Sequence, residues 1–303
     1  MCFPRRNDMT LSYSITLSSF THIEANLSKI LDKLTNCGFS AIEIIGEPDK
    51  LDLNEISETV NSYGITVTGI TGMWGSLGKE SQNRKLLTSD RALLKHCQQY
   101  IIKCIRMCDI LNGNELNVCL FADNRLMNFD KNHRLISPAQ KEHVLRRPVP
   151  ILKKLSSFAS DYGIRLLLEP LNRYSTPYCT TANDAIKVTN MVDRDNFRIM
   201  LDTFHMNIEE DSLEYAVSDS KNLLAHMHFA DNNRKMPGYG HIDFQPIMRV
   251  LADIGYEEYI SFEPIIQDIG YEPILSKSLA YIKAIDKIVR NENVSKKRLL
   301  YKN

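Results

Sequence analysis

The stretch Tyr13–Ile45, YSITLSSFTHIEANLSKILDKLTNCGFSAIEII, decides the fold. Tyr13 to Leu17 reads as a short strand. Thr21-His22-Ile23-Glu24 fits a helix-opening capping box, and Ile23, Leu27, Ile30, Leu31 and Leu34 then recur at helical intervals. Gly38 fits the stop of that helix, and Ala41–Ile45 is the next strand. Strand, helix and strand within about 33 residues is the length of a parallel crossover unit.

The unit recurs along the chain. Leu53 to Tyr63 reads as a helix closed by Gly64, and Ile65 to Ile70 as a strand. Ser89 to Leu111 is a long helix, and Leu116 to Phe121 the fourth strand. Ser137-Pro138-Ala139-Gln140 opens a helix with Pro in its first turn; Pro148 and Pro150 break it and start another, which ends at Tyr162-Gly163. Strands at Arg165–Leu168, Phe197–Leu201, Leu223–Phe229 and Tyr259–Phe262 follow. Helices are expected over Thr181–Val192, Ser212–Ser220, Phe244–Ile254 and roughly Pro273–Val289. Eight strands alternating with helices predict an α/β fold, a closed (β/α)8 TIM barrel. No linker interrupts the composition, so residues 1–303 read as a single domain with a polar, basic tail from about 290. Lys287–Asn303 holds six basic residues against one acidic, which reads as a solvated, partly frayed end. The polar connection Ala122–Ile136 could fold over the barrel mouth.

Composition sets the outer bounds. The 303 residues carry 37 Lys+Arg against 37 Asp+Glu, so no net charge recruits nucleic acid or an anionic membrane. Hydrophobic residues make up 43%, which excludes a disordered chain. No apolar run approaches the roughly 18 residues of a membrane span, and Met1–Asp8 lacks the apolar core of a secretory signal. A cytoplasmic protein with reduced thiols is expected, since none of the seven cysteines falls in a CxxC pair.

In a parallel barrel, chemistry sits where the strands end, because the loops there converge on one face. Strands five to eight end at Glu169, Asp202, His228 and Glu263, spaced by 33, 26 and 35 residues, each close to one strand-helix repeat. Three converging carboxylates and an imidazole repel one another unless a cation joins them. The oxygen-rich set suits Mn²⁺, Mg²⁺ or Co²⁺ better than Zn²⁺. Trp74, the only tryptophan, follows strand three and could stack on a ligand or pack in the core or at the rim. Glu43 and Glu47 near strand two could line the mouth or sit as exposed loop acids. His22, His96, His133, His143 and His241 show no partner pattern and read as surface residues.

Three motifs now combine: Glu169-Pro170-Leu171-Asn172-Arg173-Tyr174, Leu201-Asp202-Thr203-Phe204-His205-Met206-Asn207, and His226-Met227-His228-Phe229-Ala230-Asp231-Asn232-Asn233-Arg234. With Pro237-Gly238-Tyr239-Gly240 and Phe262-Glu263-Pro264, they resemble the D-tagatose/D-psicose type of ketose 3-epimerase, in the xylose-isomerase-like superfamily. That resemblance implies one divalent metal, commonly manganese, on Glu169, Asp202, His228 and Glu263. It also implies that Glu169 and Glu263 are an acid/base pair inverting C3 of a ketose through a metal-bound cis-enediolate, with His205 and Arg234 on substrate oxygens. It further implies a small-molecule sugar partner and a homodimer or homotetramer.

One position departs from that pattern. The epimerases usually place a second, substrate-contacting Glu after the Asn-Arg-Tyr run, and this chain has Ser175. Serine is shorter and uncharged, so the substrate is expected to carry a different group there. Aldose–ketose or hydroxypyruvate-type isomerisation and keto-inositol dehydration or isomerisation use the same metal and glutamates and stay open. A non-catalytic sugar-binding barrel would not need both glutamates. An apurinic endonuclease would need more His ligands and a basic face.

Overall fold

In a closed parallel sheet every strand is buried on both faces, so alternate residues must satisfy two different surroundings. A computed structural model describes residues 11–75, 79–123, 126 and 136–300, with side chains described as far as Asn293. Its strands are β1 Ser12–Thr16, β2 Ala41–Ile45, β3 Thr66–Thr71, β4 Glu115–Cys119, β5 Arg165–Glu169, β6 Phe197–Asp202, β7 Leu224–Phe229 and β8 Tyr259–Phe262. They pair in sequence order, all parallel, and β8 closes on β1 through the register Ser12↔Tyr259 to Ile15↔Phe262. The eight strands and the closed barrel are those expected.

The helices on the outside are α1 Leu27–Asn36, α2 Leu53–Ser62, α3 Arg91–Ile110, α4 Pro138–Leu145, α5 Val149–Ser160, α6 Ala182–Val192, α7 Thr203–Glu209, α8 Leu213–Asp219, α9 Phe244–Asp253 and α10 Glu272–Leu300. Outward strand residues such as Ile42, Ile44, Leu166, Leu168, Ile260 and Phe262 pack with helix residues such as Leu31 and Leu34 in one large apolar core. Truncating either buried leucine to Ala would cost about 2–5 kcal/mol.

Inside the barrel the residues are different. Leu167, Met200 and Ala225 form a small separate apolar cluster. Around it the inward positions are polar: Ser14, Glu43, Glu115, Asn117, Glu169, Asp202, His226, His228, Ser261 and Glu263 are all buried. The registers Cys119↔Glu169 and Asp202↔His228 bring the strand ends level at the C-terminal mouth.

Three expectations are corrected. The Thr21 capping box does not form, because Leu17–Phe20 make a 3₁₀ turn and the Thr21 hydroxyl donates to Ser18 O. Asn26 caps α1 instead, its Oδ1 accepting from the Lys29 N–H. The last helix does not end at Val289: α10 continues to Leu300, and no Gly or Pro stands between Arg290 and Leu300 to stop it. A seven-residue helix, α7, begins directly after Asp202 where none was expected. Most of Ala122–Ile136, and His133 with it, lies outside the described residues.

Candidate metal centre and its supports

The mouth of the barrel receives one candidate ligand from each of four successive strands. Glu169 and Asp202 are the last residues of β5 and β6, His228 is next to last in β7, and Glu263 follows β8. One ligand atom from each lies within 4.8 Å of the others, and all four side chains are buried. Glu169, Asp202, His228 and Glu263 are thus brought together, as their spacing predicts.

Each carboxylate is held differently. Glu169 Oε2 accepts from Asn117 Nδ2 at 2.8 Å, whereas its buried Oε1 accepts no hydrogen bond. Burial and the neighbouring Glu263 and Asp202 charges push the Glu169 carboxyl well above the ordinary range. Asp202 Oδ1 accepts from the Phe204 N–H at 2.7 Å and so caps α7, while Oδ2 takes Arg234 Nη1. Glu263 Oε2 meets both Arg234 Nη2 and His228 Nδ1, the latter at 3.0 Å. Burial raises Glu263, but the Arg234 and His228 charges outweigh it and leave that carboxyl below the usual range.

His205 lies in α7 and points back at the site. The Asn172 backbone N–H can only donate, and it lies 3.2 Å from His205 Nδ1, so Nδ1 is the acceptor. The ring proton therefore sits on Nε2, which faces Glu169 Oε1 at 3.9 Å and Asp202 Oδ2 at 4.0 Å. Burial holds this imidazole neutral, with its pKa lowered to about 3. Arg234 reaches the site from a residue in the left-handed region, φ 58°. Buried Asp231 organises that loop by accepting from the Asn232, Gly238 and Ile242 N–H groups. A Cβ on Gly240 would collide with the Asp231 carboxylate. The Arg234 guanidinium also covers the Phe204 ring at 4.8 Å.

Ser175 and Trp74 sit outside this four-ligand cluster. Ser175 is half-buried, its N–H donating to Asn172 O and its hydroxyl to Asn172 Oδ1 at 3.5 Å, one residue removed from His205. Trp74 is half-buried after β3, edge-on to Phe121 with centroids 4.8 Å apart. Glu43 and Glu47 are not exposed loop acids. Both are buried, and Glu47 pairs with Arg84 at 3.1 Å. His22, His96, His143 and His241 are exposed.

A second set of buried charges lies beneath the centre. His228 Nε2 lies 3.0 Å from Glu43 Oε2. On the far side of Glu43, His226 Nε2 lies 2.6 Å from Oε1, and His226 Nδ1 is 2.8 Å from Glu115 Oε2. Both contacts are ion pairs between buried groups. Glu115 in turn pairs with Arg165, which binds Glu258. Glu43, Glu115, Asn117, Asn172 and His226 were not read as supports from sequence. For Glu43, Asn117 and His226 the available signal was a charged or amide residue in mid-strand between apolar neighbours.

A divalent cation fits the upper set. Three carboxylates and one imidazole nitrogen make a hard, oxygen-rich donor set, and Glu169 Oε1 is a buried acceptor lacking a donor.

Comparison with known proteins agrees with this architecture. A family model described as "Xylose isomerase-like TIM barrel" matches residues 31–285. A D-psicose 3-epimerase of Ruminiclostridium cellulolyticum is 29% identical over 237 residues, 77% of this chain and 76% of that protein. The 3-dehydro-D-guloside 4-epimerase of Escherichia coli is 40% identical over 106 residues, 35% of this chain and 40% of that protein. Among solved structures, D-psicose 3-epimerase with D-tagatose from Clostridium cellulolyticum H10 superposes with a TM-score of 0.74 at 25% identity, covering 93% of this chain and 99% of that one. Among the described residues, no helix is long and apolar enough to cross a membrane.

Proposed function

The chain belongs to the xylose isomerase-like TIM barrel family, and from that premise we propose that it is a divalent-metal-dependent epimerase inverting C3 of a ketose, the carbon next to the carbonyl. It is an enzyme of the isomerase class. The observation that carries the reading is the pair Glu169 and Glu263 within one buried cluster with Asp202 and His228. The likeness to the Ruminiclostridium D-psicose 3-epimerase over three quarters of both chains supports it.

Glu169, Asp202, His228 and Glu263 would hold the cation, Mn²⁺ in the first instance and Mg²⁺ or Co²⁺ as substitutes. Bound there, it would polarise the carbonyl oxygen as a Lewis acid. The chain's own residues move the proton. Glu169 and Glu263 are the two carboxylates suited to it, one to take the proton and the other to return one. Removal by one and return by the other, on opposite faces of the carbon, inverts its configuration; the reverse reaction exchanges the roles. The His205 Nε2–H and the Arg234 guanidinium are donors at the same site, suited to sugar oxygens and to the negative charge that develops there.

A second reading keeps this chemistry and changes the sugar: inversion at C4 of a 3-keto glycoside. The 40% identity to the E. coli 4-epimerase over 106 residues favours it, as does uncharged Ser175 beside Asn172. Incubating D-fructose, D-psicose, D-tagatose, L-ribulose and methyl 3-keto-glucoside with Mn²⁺-loaded protein separates the readings by chromatography. A C3 epimer of a free ketose is expected, and it should vanish with EDTA. Turnover of the keto glycoside alone would favour the second reading, and aldose products alone would overturn both.

A further inference from the structure

Glu43 lies on β2, outside the four strands that supply the ligands, yet it touches His228. A carboxylate offers about four acceptor positions, and those of Glu43 are all filled. Oε2 faces the Thr71 hydroxyl and His228 Nε2, each at 3.0 Å. Oε1 faces the Ser261 hydroxyl at 2.7 Å and His226 Nε2 at 2.6 Å. Ser14 completes the layer through its own hydroxyl contact with Ser261. A carboxylate gripped from β3, β7 and β8 at once is fixed in place.

Its effect on His228 follows from hydrogen-bond chemistry. An ionised carboxylate only accepts, so Nε2 must carry the ring proton that faces it. In the neutral ring the lone pair is then on Nδ1, the nitrogen directed at Glu263 and the other ligands. His226 braces Glu43 from the opposite side, and is itself backed by Glu115 and Arg165 near the other end of the barrel.

We infer that Glu43 is a positioning residue for the metal centre, fixing the tautomer and plane of His228, and that His226 and Ser261 hold Glu43 in place for that task. This rests on the reading that Glu169, Asp202, His228 and Glu263 bind a divalent cation. The pairing of an outer carboxylate with a ligating imidazole generally sets metal affinity by about 10–100-fold.

The test is Mn²⁺ binding, measured without sugar by titration calorimetry and by loss of the free Mn²⁺ electron paramagnetic resonance signal. Glu43→Gln keeps the shape and removes the charge. Its Mn²⁺ affinity should fall about 10–100-fold, with far-UV circular dichroism unchanged. Saturating Mn²⁺ should then restore most of the lost turnover while KM for the sugar stays near wild type, because Glu43 acts through His228. Wild-type Mn²⁺ affinity in folded Glu43→Gln protein would overturn the inference. Should that variant not fold, Ser261→Ala and Thr71→Val each remove one donor to Glu43. A severalfold weakening is expected from both, and unchanged affinity in both would be equally decisive against it. Failure of the wild-type protein to bind Mn²⁺, Mg²⁺ or Co²⁺ would sink the metal centre itself, a result distinct from failure of the variants alone.

Discussion

The barrel holds two buried clusters, both built from carboxylates and imidazoles, and they do different things. The upper one joins Glu169, Asp202, His228 and Glu263 at the mouth; the lower one joins Glu43, His226 and Glu115 along the axis. By distance alone, Glu43, His226 and His228 could also hold an ion. Saturation separates them. Every acceptor position of Glu43 has a donor or cation in close contact, whereas Glu169 Oε1 accepts no hydrogen bond. A buried charge with its partners in place is a strut, and a buried acceptor without one is a place for a ligand.

The contrast breaks first, and hardest, at the upper cluster. Glu263→Gln should leave a folded barrel whose turnover drops by about 10³-fold or more, read as kcat at saturating Mn²⁺; a wild-type rate would remove Glu263 from the chemistry. At the lower cluster the loss should appear as stability. Glu115→Gln strips one partner from both His226 and Arg165, and a loss of roughly 3 kcal/mol is expected in urea unfolding. Unchanged unfolding would mean that the lower column carries no structural charge.

Removing the metal should affect only the upper cluster. Chelation with EDTA should abolish turnover and lower the melting temperature, since a ligand at 100 times its Kd stabilises by about 2.7 kcal/mol. An unshifted melting curve would speak against a resident cation. The smallest effect concerns pH. His205 is neutral in the fold, with its pKa lowered from 6.5 to about 3 by burial. Between those values the unfolded chain takes up a proton that the folded chain refuses, so stability is present above pH 6.5 and is lost as pH falls. His205→Gln removes that term. In metal-free protein its stability at pH 5.5, relative to pH 7.5, should fall by roughly 1 kcal/mol less than wild type; parallel curves would show His205 to be solvated.

The upper cluster was legible in the sequence because its residues fall at the ends of consecutive strands, where the repeat length alone aligns them. The lower cluster was not. Glu43 sits inside Ala-Ile-Glu-Ile-Ile, and a single charge there reads equally well as a residue lining the mouth or an exposed loop acid. Its partners Thr71, His226 and Ser261 lie far along the chain, and only closure of the barrel brings them together. Thr21 had the right residues for a cap, but Phe20 O draws the Ile23 and Glu24 N–H groups into a turn first. α7 escaped because seven residues are too few to show a period. The far end of α10 escaped because its polar sequence resembles a solvated tail, although nothing in it breaks a helix.

The central claim is that one glutamate of the upper cluster takes a proton from the carbon beside a carbonyl and the other returns one. Incubation of the Mn²⁺-loaded protein with D-fructose and D-psicose in D₂O, followed by nuclear magnetic resonance, tests it directly. The account predicts solvent deuterium at C3 together with inversion at that carbon, and loss of both in Glu169→Gln and Glu263→Gln. Exchange confined to C1 or C2, or inversion at C3 that persists in both variants, would contradict it.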